Sequence, residues 1–264
     1  MPSIHPSAVI ETGAVIADNV RIGPFCMVGP KAVIGDGVVL ESHVVLTGRT
    51  TVGQGTRIFP FASIGHEPQD LKYDGEDSEL RIGAGNRIRE YVTMNPGTKG
   101  GGMVTNVGDD CLFMIGAHVA HDCNIGHHVI LANNVALGGH VEVGDHAIVG
   151  GNSAIHQFVR IGEHAMIGGM SGVENDVIPY GSAFGERSQL AGLNIIGLKR
   201  RGFSKEEINS LRTAFQELFA DKGVFNDRVN KVAQDFDNSP AVQQMVEFIR
   251  ADSSRSLCIP KGAA

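Results

Sequence analysis

The sequence predicts a parallel β-solenoid built from six-residue faces, followed by a small helical domain. Three observations carry this prediction. Every sixth residue from Ile4 through Ile10, Ile16, Ile22, Val28, Ile34, Leu40, Leu46, Val52 and Ile58 to Ile64 is aliphatic. Four positions after an anchor the residue is small or β-branched, as at Ala8, Ala14, Val20, Cys26 and Ala32. Glycine often sits directly after the anchor, at Gly23, Gly35, Gly53, Gly126, Gly144 and Gly162. A period of six fits neither an amphipathic helix nor an alternating hairpin strand. It fits a solenoid in which each hexapeptide forms one flat face, points its anchor inward and turns a tight corner.

The elements follow in order. The period stops after Ile64, resumes at Ile82, Ile88 and Met94, and stops again. It then runs from Val107 through Phe113, Val119, Ile125, Leu131, Leu137, Val143, Val149, Ile155, Ile161 and Ile167 to Val173. Hydrophobic residues make up 42% of the chain, so 26 apolar anchors at 26 positions are not a product of composition. The solenoid is placed at residues 1–183, with insertions near 66–81 and 98–106. Residues 184–264 read as helical. Ser204 with Glu207 forms a capping box ahead of Ile208, Leu211, Phe215 and Leu218 at helical spacing. Ser239 is placed as the N-cap of a further helix that has Pro240 in its first turn.

Composition excludes several classes. Aromatics at 6%, no Trp and 35 Gly do not suit an ordinary sandwich or bundle core. No signal peptide and no membrane span is apparent, and the four cysteines form no CxxC pair, so a cytoplasmic protein without disulfides is expected. Cys26, Cys111 and Cys123 fall on the inward small-residue position, where packing accounts for them. The net charge of −7 divides into −9 over residues 1–183 and +2 over residues 184–264. That balance disfavours nucleic acid and leaves room for a local basic site for an anionic ligand.

Three hexapeptides make a coil, so residues 18 apart stack at about 4.8 Å. His121 then lies below Gly139 and Gln157, and Asp122 below His140, while His156 neighbours Gln157 and His118 stands three residues upstream. One strip gathers His118, His121, Asp122, His140, His156 and Gln157. Imidazole beside carboxylate is a general-base arrangement, with the acid fixing the tautomer. Gly139, stacked on the base, offers an unobstructed N–H to an oxyanion. The same histidines also permit a catalytic zinc site. Left-handed β-helix carbonic anhydrases bind zinc with histidines at a subunit boundary, but the i, i+5 histidine pair of that family is absent from this strip. A non-catalytic solenoid is the remaining alternative and leaves the strip unexplained.

The hexapeptide pattern resembles the left-handed β-helix transferases, and the handedness comes from that resemblance. "QDLKY" (69–73), "HVAHDC" (118–123), "GGHV" (138–141), "IHQFVRIG" (155–162) and "GLNIIGLKRRGFS" (192–204) resemble, more narrowly, the UDP-N-acetylglucosamine O-acyltransferases that open lipid A biosynthesis. The resemblance implies a homotrimer with active sites in clefts between subunits. It further implies a long 3-hydroxyacyl donor carried on acyl carrier protein, transfer to the 3-position of UDP-N-acetylglucosamine, and no cofactor or metal. By position, His121 resembles the general base, Asp122 its polarising partner and Gly139 the oxyanion donor. Asp70 and Lys72 resemble the sugar- and acyl-contacting loop. His118, His140, His156 and Gln157 resemble nucleotide-sugar and acyl contacts, and Asn194, Arg200 and Arg201 resemble residues engaging the diphosphate and the carrier's pantetheine. Paired arginines suit phosphate. The pathway's N-acyltransferase carries an extra N-terminal domain, which hexapeptides starting at Ile4 argue against.

Gly169 resembles the family's acyl-length ruler. It lies 48 residues beyond His121, or about 2.7 coils and roughly 13 Å along the axis, on a different edge of the prism. Four departures from the family text stand out: Asn95 and Pro96 where His-Arg is frequent, Arg187 in "GERSQLAG", and Ile196 in place of an acid. They leave the acceptor open between the 3-hydroxy sugar nucleotide and its 3-amino analogue.

Overall fold

A computed structural model describes residues 1–262. The chain winds into a left-handed triangular prism with three sheets, parallel except for the last strand pair of face one, hereafter faces one, two and three. Among the described residues, face one holds eleven strands, face two nine and face three eight. Successive coils pair in register, Ile4 with Ile22, Ile10 with Val28 and Ile16 with Ile34, so the 18-residue stacking step is realised. The step lengthens twice, Ile64 pairing with Met94 and Met94 with Val119. Both insertions end earlier than the broken period suggests. Strands Glu79–Ile82 and Val104–Val107 rejoin face three ahead of the anchors Ile82 and Val107.

The anchors form the core. Val28, Ile58, Ile64, Val119 and Leu131 are fully buried, each worth about 1.5–3 kcal/mol relative to exposure. The first coil is the exception, with Ile4 40% exposed and Ile10 and Ile16 only partly buried. Cys26, Cys111 and Cys123 are buried in the same core. Glycine after the anchor has a steric cause: a Cβ on Gly23 would stand 2.5 Å from the Glu41 carbonyl oxygen of the next coil. The corners themselves carry bulky residues. Their left-handed positions carry Phe25, His43, Phe61, Tyr91, His128, His146 and His164, with φ between 56 and 65°. That conformation is costly for bulky side chains. Ring stacking along each edge offsets it, as between His128 and His146 at 4.7 Å and nearly parallel.

Face one continues beyond residue 184 through Gly181–Phe184 and Gln189–Leu193. The helices follow as α1 (Ile195–Arg200), α2 (Lys205–Leu218), α3 (Phe225–Asp235) and α4 (Pro240–Arg250). The capping box at Ser204 is complete, with Glu207 reaching back to the cap N–H. Ser239 does precede α4, with Pro240 at its start, but its side chain makes no capping bond. The chain then returns to the prism. Buried Asp176 accepts from Arg160 Nε and from the Ser253 hydroxyl, both at 2.7 Å, and bridges Leu257.

Candidate active site

The edge between faces two and three carries the histidine strip. His118 lies in strand His118–Val119 of face two, the chain turns through residues 120–123, and Asn124–Ile125 begins the next strand on face three. Residues 138–141 and 156–159 make the same turn one and two coils later. Both insertions leave the prism at this edge, since each connects a face-two strand to a face-three strand. The fold therefore delivers two loops to the stacked turns.

His121 Nδ1 sits 2.8 Å from Asp122 Oδ2. The Asp122 side chain is fully buried. Its Oδ1 accepts the Thr98 N–H at 2.8 Å and its Oδ2 accepts the Thr98 hydroxyl at 2.6 Å. A carboxylate so engaged accepts rather than donates, which assigns the hydrogen to His121 Nδ1 and leaves Nε2 with its lone pair. His140 packs edge-on against His121 at 5.1 Å, holds Nε2 3.8 Å from Asp122, and stacks on Phe158 at 4.3 Å. Asp122, His140 and Phe158 share the left-handed corner position, with φ of 59, 61 and 66°. His118 Nδ1 meets the Thr93 hydroxyl at 2.7 Å. Burial, then the neighbouring His121, pushes the His118 pKa down, and burial outweighs Asp122 to lower that of His140. His121 is thus flanked by imidazoles biased toward neutrality.

Gly139 lies against the ring of His121. A Cβ there would stand 2.4 Å from Cε1 and 2.6 Å from Nε2. Its N–H makes no hydrogen bond among the described residues, as is usual for this corner position. Asp70 and Lys72, from the first insertion, face His140 and Phe158 across a cavity of about 430 Å³ that Thr98 and Lys99 also line. His156 and Gln157 are exposed one coil higher. They turn to the tail, where Arg255 donates to His156 Nδ1 at 2.6 Å and to the Gln157 carbonyl at 3.0 Å. Ligand atoms of His121, Asp122 and His140 fall within 4.8 Å of one another. Both Asp122 oxygens are already engaged, so a cation there would compete with Thr98 and with His121 for them.

Sequence reasoning missed Thr93, Thr98, Gly101 and Phe158. Phe158 was available, being 18 residues after His140. Thr98 and Gly101 lie in an insertion, where the 18-residue register says nothing.

The C-terminal part, residues 176–258, matches the family model described as UDP-N-acetylglucosamine O-acyltransferase domain 2, and residues 13–48 and 105–139 match the bacterial transferase hexapeptide model. The acyl-[acyl-carrier-protein]–UDP-N-acetylglucosamine O-acyltransferase of Methylobacterium radiotolerans is 60% identical, over 98% of this chain and 96% of its own. The Caulobacter vibrioides enzyme of that name is 51% identical over 98% of both. The crystal structure of UDP-N-acetylglucosamine O-acyltransferase from Moraxella catarrhalis superposes with a TM-score of 0.94 at 41% identity, covering 97% of this chain and 99% of that one. The chain belongs to the UDP-N-acetylglucosamine O-acyltransferase family.

Other residues that the family resemblance selects lie elsewhere on the acyltransferase prism. Arg201 Nη2 donates to the His146 carbonyl at 2.6 Å, and Asn194 Nδ2 to the His164 carbonyl at 2.9 Å, while Asn194 Oδ1 caps α1 at Gly197. These contacts belong to the edge between faces three and one, where His128, His146, His164 and Tyr180 stack in a column. Asn194, Arg200 and Arg201 line a largely apolar cavity of about 680 Å³ with Ile148, Met166 and Leu193. One chain therefore does not bring them to His121. Gly169 is exposed on the third edge, between faces one and two. Of the departures, Asn95 is buried and donates to the carbonyls of His66 and Glu67 at the root of the first insertion. Pro96 lines the cleft beneath that insertion. Arg187 pairs with Glu174, and Ile196 is 68% exposed beside the arginine cavity.

Proposed function

We propose that this acyltransferase moves a 3-hydroxyacyl chain from acyl carrier protein to the 3-position of UDP-N-acetylglucosamine, the step that opens lipid A biosynthesis. The observation that carries the mechanism is the His121–Asp122 pair with Nε2 free beside Gly139. His121 Nε2 takes the proton of the sugar 3-hydroxyl as its oxygen attacks the thioester carbonyl. The Gly139 N–H donates to the oxyanion that forms. Collapse of the tetrahedral intermediate breaks the C–S bond, and the imidazolium returns its proton to the departing sulfur. No acyl-enzyme is needed. Cys123 is fully buried, and desolvation pushes its thiol up to about 12.

Asp70, Lys72, His118 and His140 border the reacting centre, with His156 and Gln157 above it. Asn194, Arg200 and Arg201 belong to the nucleotide diphosphate and the pantetheine, and Gly169 to the far end of the acyl groove. Their separation on different edges supports a homotrimer in which one subunit's histidine edge meets the next subunit's tail edge. With parallel prisms, the remaining edge then points to the three-fold axis. That edge carries a column of Phe25, His43, Phe61 and Tyr91, whose Phe25, Phe61 and Tyr91 are 61%, 49% and 59% exposed in the single chain. Among the described residues no helix is long and apolar enough to cross a membrane, and the cytoplasm, where acyl carrier protein is found, is the proposed location.

The test is His121→Ala in purified protein, offered acyl carrier protein thioesters with the 3-hydroxy and 3-amino sugar nucleotides. Turnover should vanish while fold and assembly persist, and near-normal turnover would overturn the mechanism. A stoichiometric metal at His121, Asp122 and His140 that is required for activity would also overturn the mechanism.

A further inference from the structure

We infer that Thr98 is a positioning residue for the His121–Asp122 pair, and that the second insertion exists on this edge to deliver it. The inference rests on His121 acting as the base. The Asp122 carboxylate is fully buried, and its two oxygens receive three donors. Two of the three come from Thr98, its N–H at 2.8 Å and its hydroxyl at 2.6 Å, and the third is His121 Nδ1 at 2.8 Å. Without the hydroxyl, Oδ2 would face His121 alone, with His140 Nε2 3.8 Å away. Buried ionised groups are stable only when their hydrogen-bonding capacity is met, so the two Thr98 donors keep Asp122 charged, still and aimed at Nδ1.

The surrounding loop is built to hold that contact. Gly101 and Met103 both donate their N–H to the Thr98 carbonyl at 3.0 Å, closing a tight turn around the residue. Gly101 lies flat on the carboxylate, and a Cβ there would stand 2.0 Å from Asp122 Cγ. From below, the Thr105 hydroxyl accepts the Asp122 N–H at 2.7 Å. From the side, Glu76 of the first insertion accepts the Lys99 N–H at 3.0 Å and the Asp74 N–H at 2.9 Å. The loop that aims the base is thereby tied to the loop that brings Asp70 and Lys72 to the cavity.

The experiment compares kcat, KM and the pH profile of kcat/KM for wild type, Thr98→Val, Thr98→Ser, Gly101→Ala and His121→Ala. The titratable groups beside the His121 ring are Asp122 at Nδ1, His118 and His140, and none of these changes. Thr98→Val removes one charge-assisted donor from the carboxylate. That should lower kcat about ten- to hundredfold with KM altered less than about threefold. With one donor fewer, the carboxylate holds the imidazolium more tightly, so the acid limb of the profile should move to higher pH. Thr98→Ser should restore both the rate and the limb. Gly101→Ala reaches the same carboxylate from another residue and should lower kcat while keeping the hydroxyl, which covers a Val variant that fails to fold. Wild-type kcat and an unmoved limb in Thr98→Val would overturn the inference alone, as would a loss of rate that Ser does not rescue. Activity in His121→Ala would instead overturn the base on which it rests.

Discussion

Adding one methyl group at Gly139 gives a quantitative test of the site. The backbone there is not left-handed, so alanine carries no conformational penalty. Its Cβ would lie 2.4 Å from His121 Cε1, whereas an ordinary contact begins at about 3.4 Å. The ring must retreat by about 1 Å. Asp122 cannot follow, because Thr98 and the floor of the corner hold it, so the 2.8 Å bond to Nδ1 stretches or bends. Misplacing a reacting group by 1 Å costs about a hundredfold, equivalent to about 2.7 kcal/mol of barrier. Stability should change by less than about 1 kcal/mol, since the imidazole stands at the prism edge and can swing outward. The alanine keeps its N–H, so the loss would report the base rather than the oxyanion donor. Steady-state kinetics with the carrier-bound donor, together with thermal melting, decides the matter. A Gly139→Ala enzyme within threefold of wild-type kcat would show that His121 is not held against this glycine during turnover.

Gly169→Met should move donor preference toward markedly shorter acyl chains while sparing activity toward them, each excluded CH₂ forfeiting about 0.8 kcal/mol of binding. An unchanged length profile across a donor series would refute the ruler. His164 should make stability fall on the acid side. Burial, then His146 and Arg201, holds it down to about 4, from an ordinary 6.5. Only the unfolded chain takes up that proton as pH drops from about 6.5 to about 4. The associated stability is complete above that window and lost through it, by at most about 3 kcal/mol. His164→Asn, which tolerates the left-handed corner, should flatten the melting temperature between pH 6.5 and 4, and an unchanged slope would count against the assignment. Phe61→Glu should place repelling carboxylates at the proposed three-fold axis. It should yield folded monomers without turnover, and a trimer surviving in sedimentation would mean that this edge faces solvent.

The fold was legible because a solenoid writes its geometry into a fixed spacing. Each anchor from Ile10 to Ile167 repeats one local problem, burial against identical neighbours, so the pattern survives without any knowledge of long-range contacts. The corners were less legible. A tight corner calls for small residues, yet Phe25, His43, Phe61 and Tyr91 take a left-handed conformation there because each ring stacks on the next coil. Stacking is a property of four residues some 18 or 30 apart, and no single hexapeptide records it. The beginnings of the insertions' return strands, at Glu79 and Val104, were hidden in the same way. Their first residues pair as strand before the periodic anchor appears.

The site divides along the same line. His121, Asp122, Gly139 and His140 sit on unbroken coils, so counting by 18 stacks them correctly before any coordinates are known. What counting cannot supply is why Asp122 points at His121 at all. The corner alone would leave that carboxylate free to turn to water. It is Thr98, on a loop that breaks the count, that occupies both oxygens and excludes solvent from them. The insertion is therefore where the periodic fold stops being a scaffold and acquires direction. A regular prism can bring an imidazole and a carboxylate to one edge, but selecting which ring nitrogen holds the proton takes donors from outside the repeat. By the same reasoning Asn95, at the root of the other insertion, matters through the carbonyls of His66 and Glu67 that it holds, because those fix where Asp70 and Lys72 begin their approach.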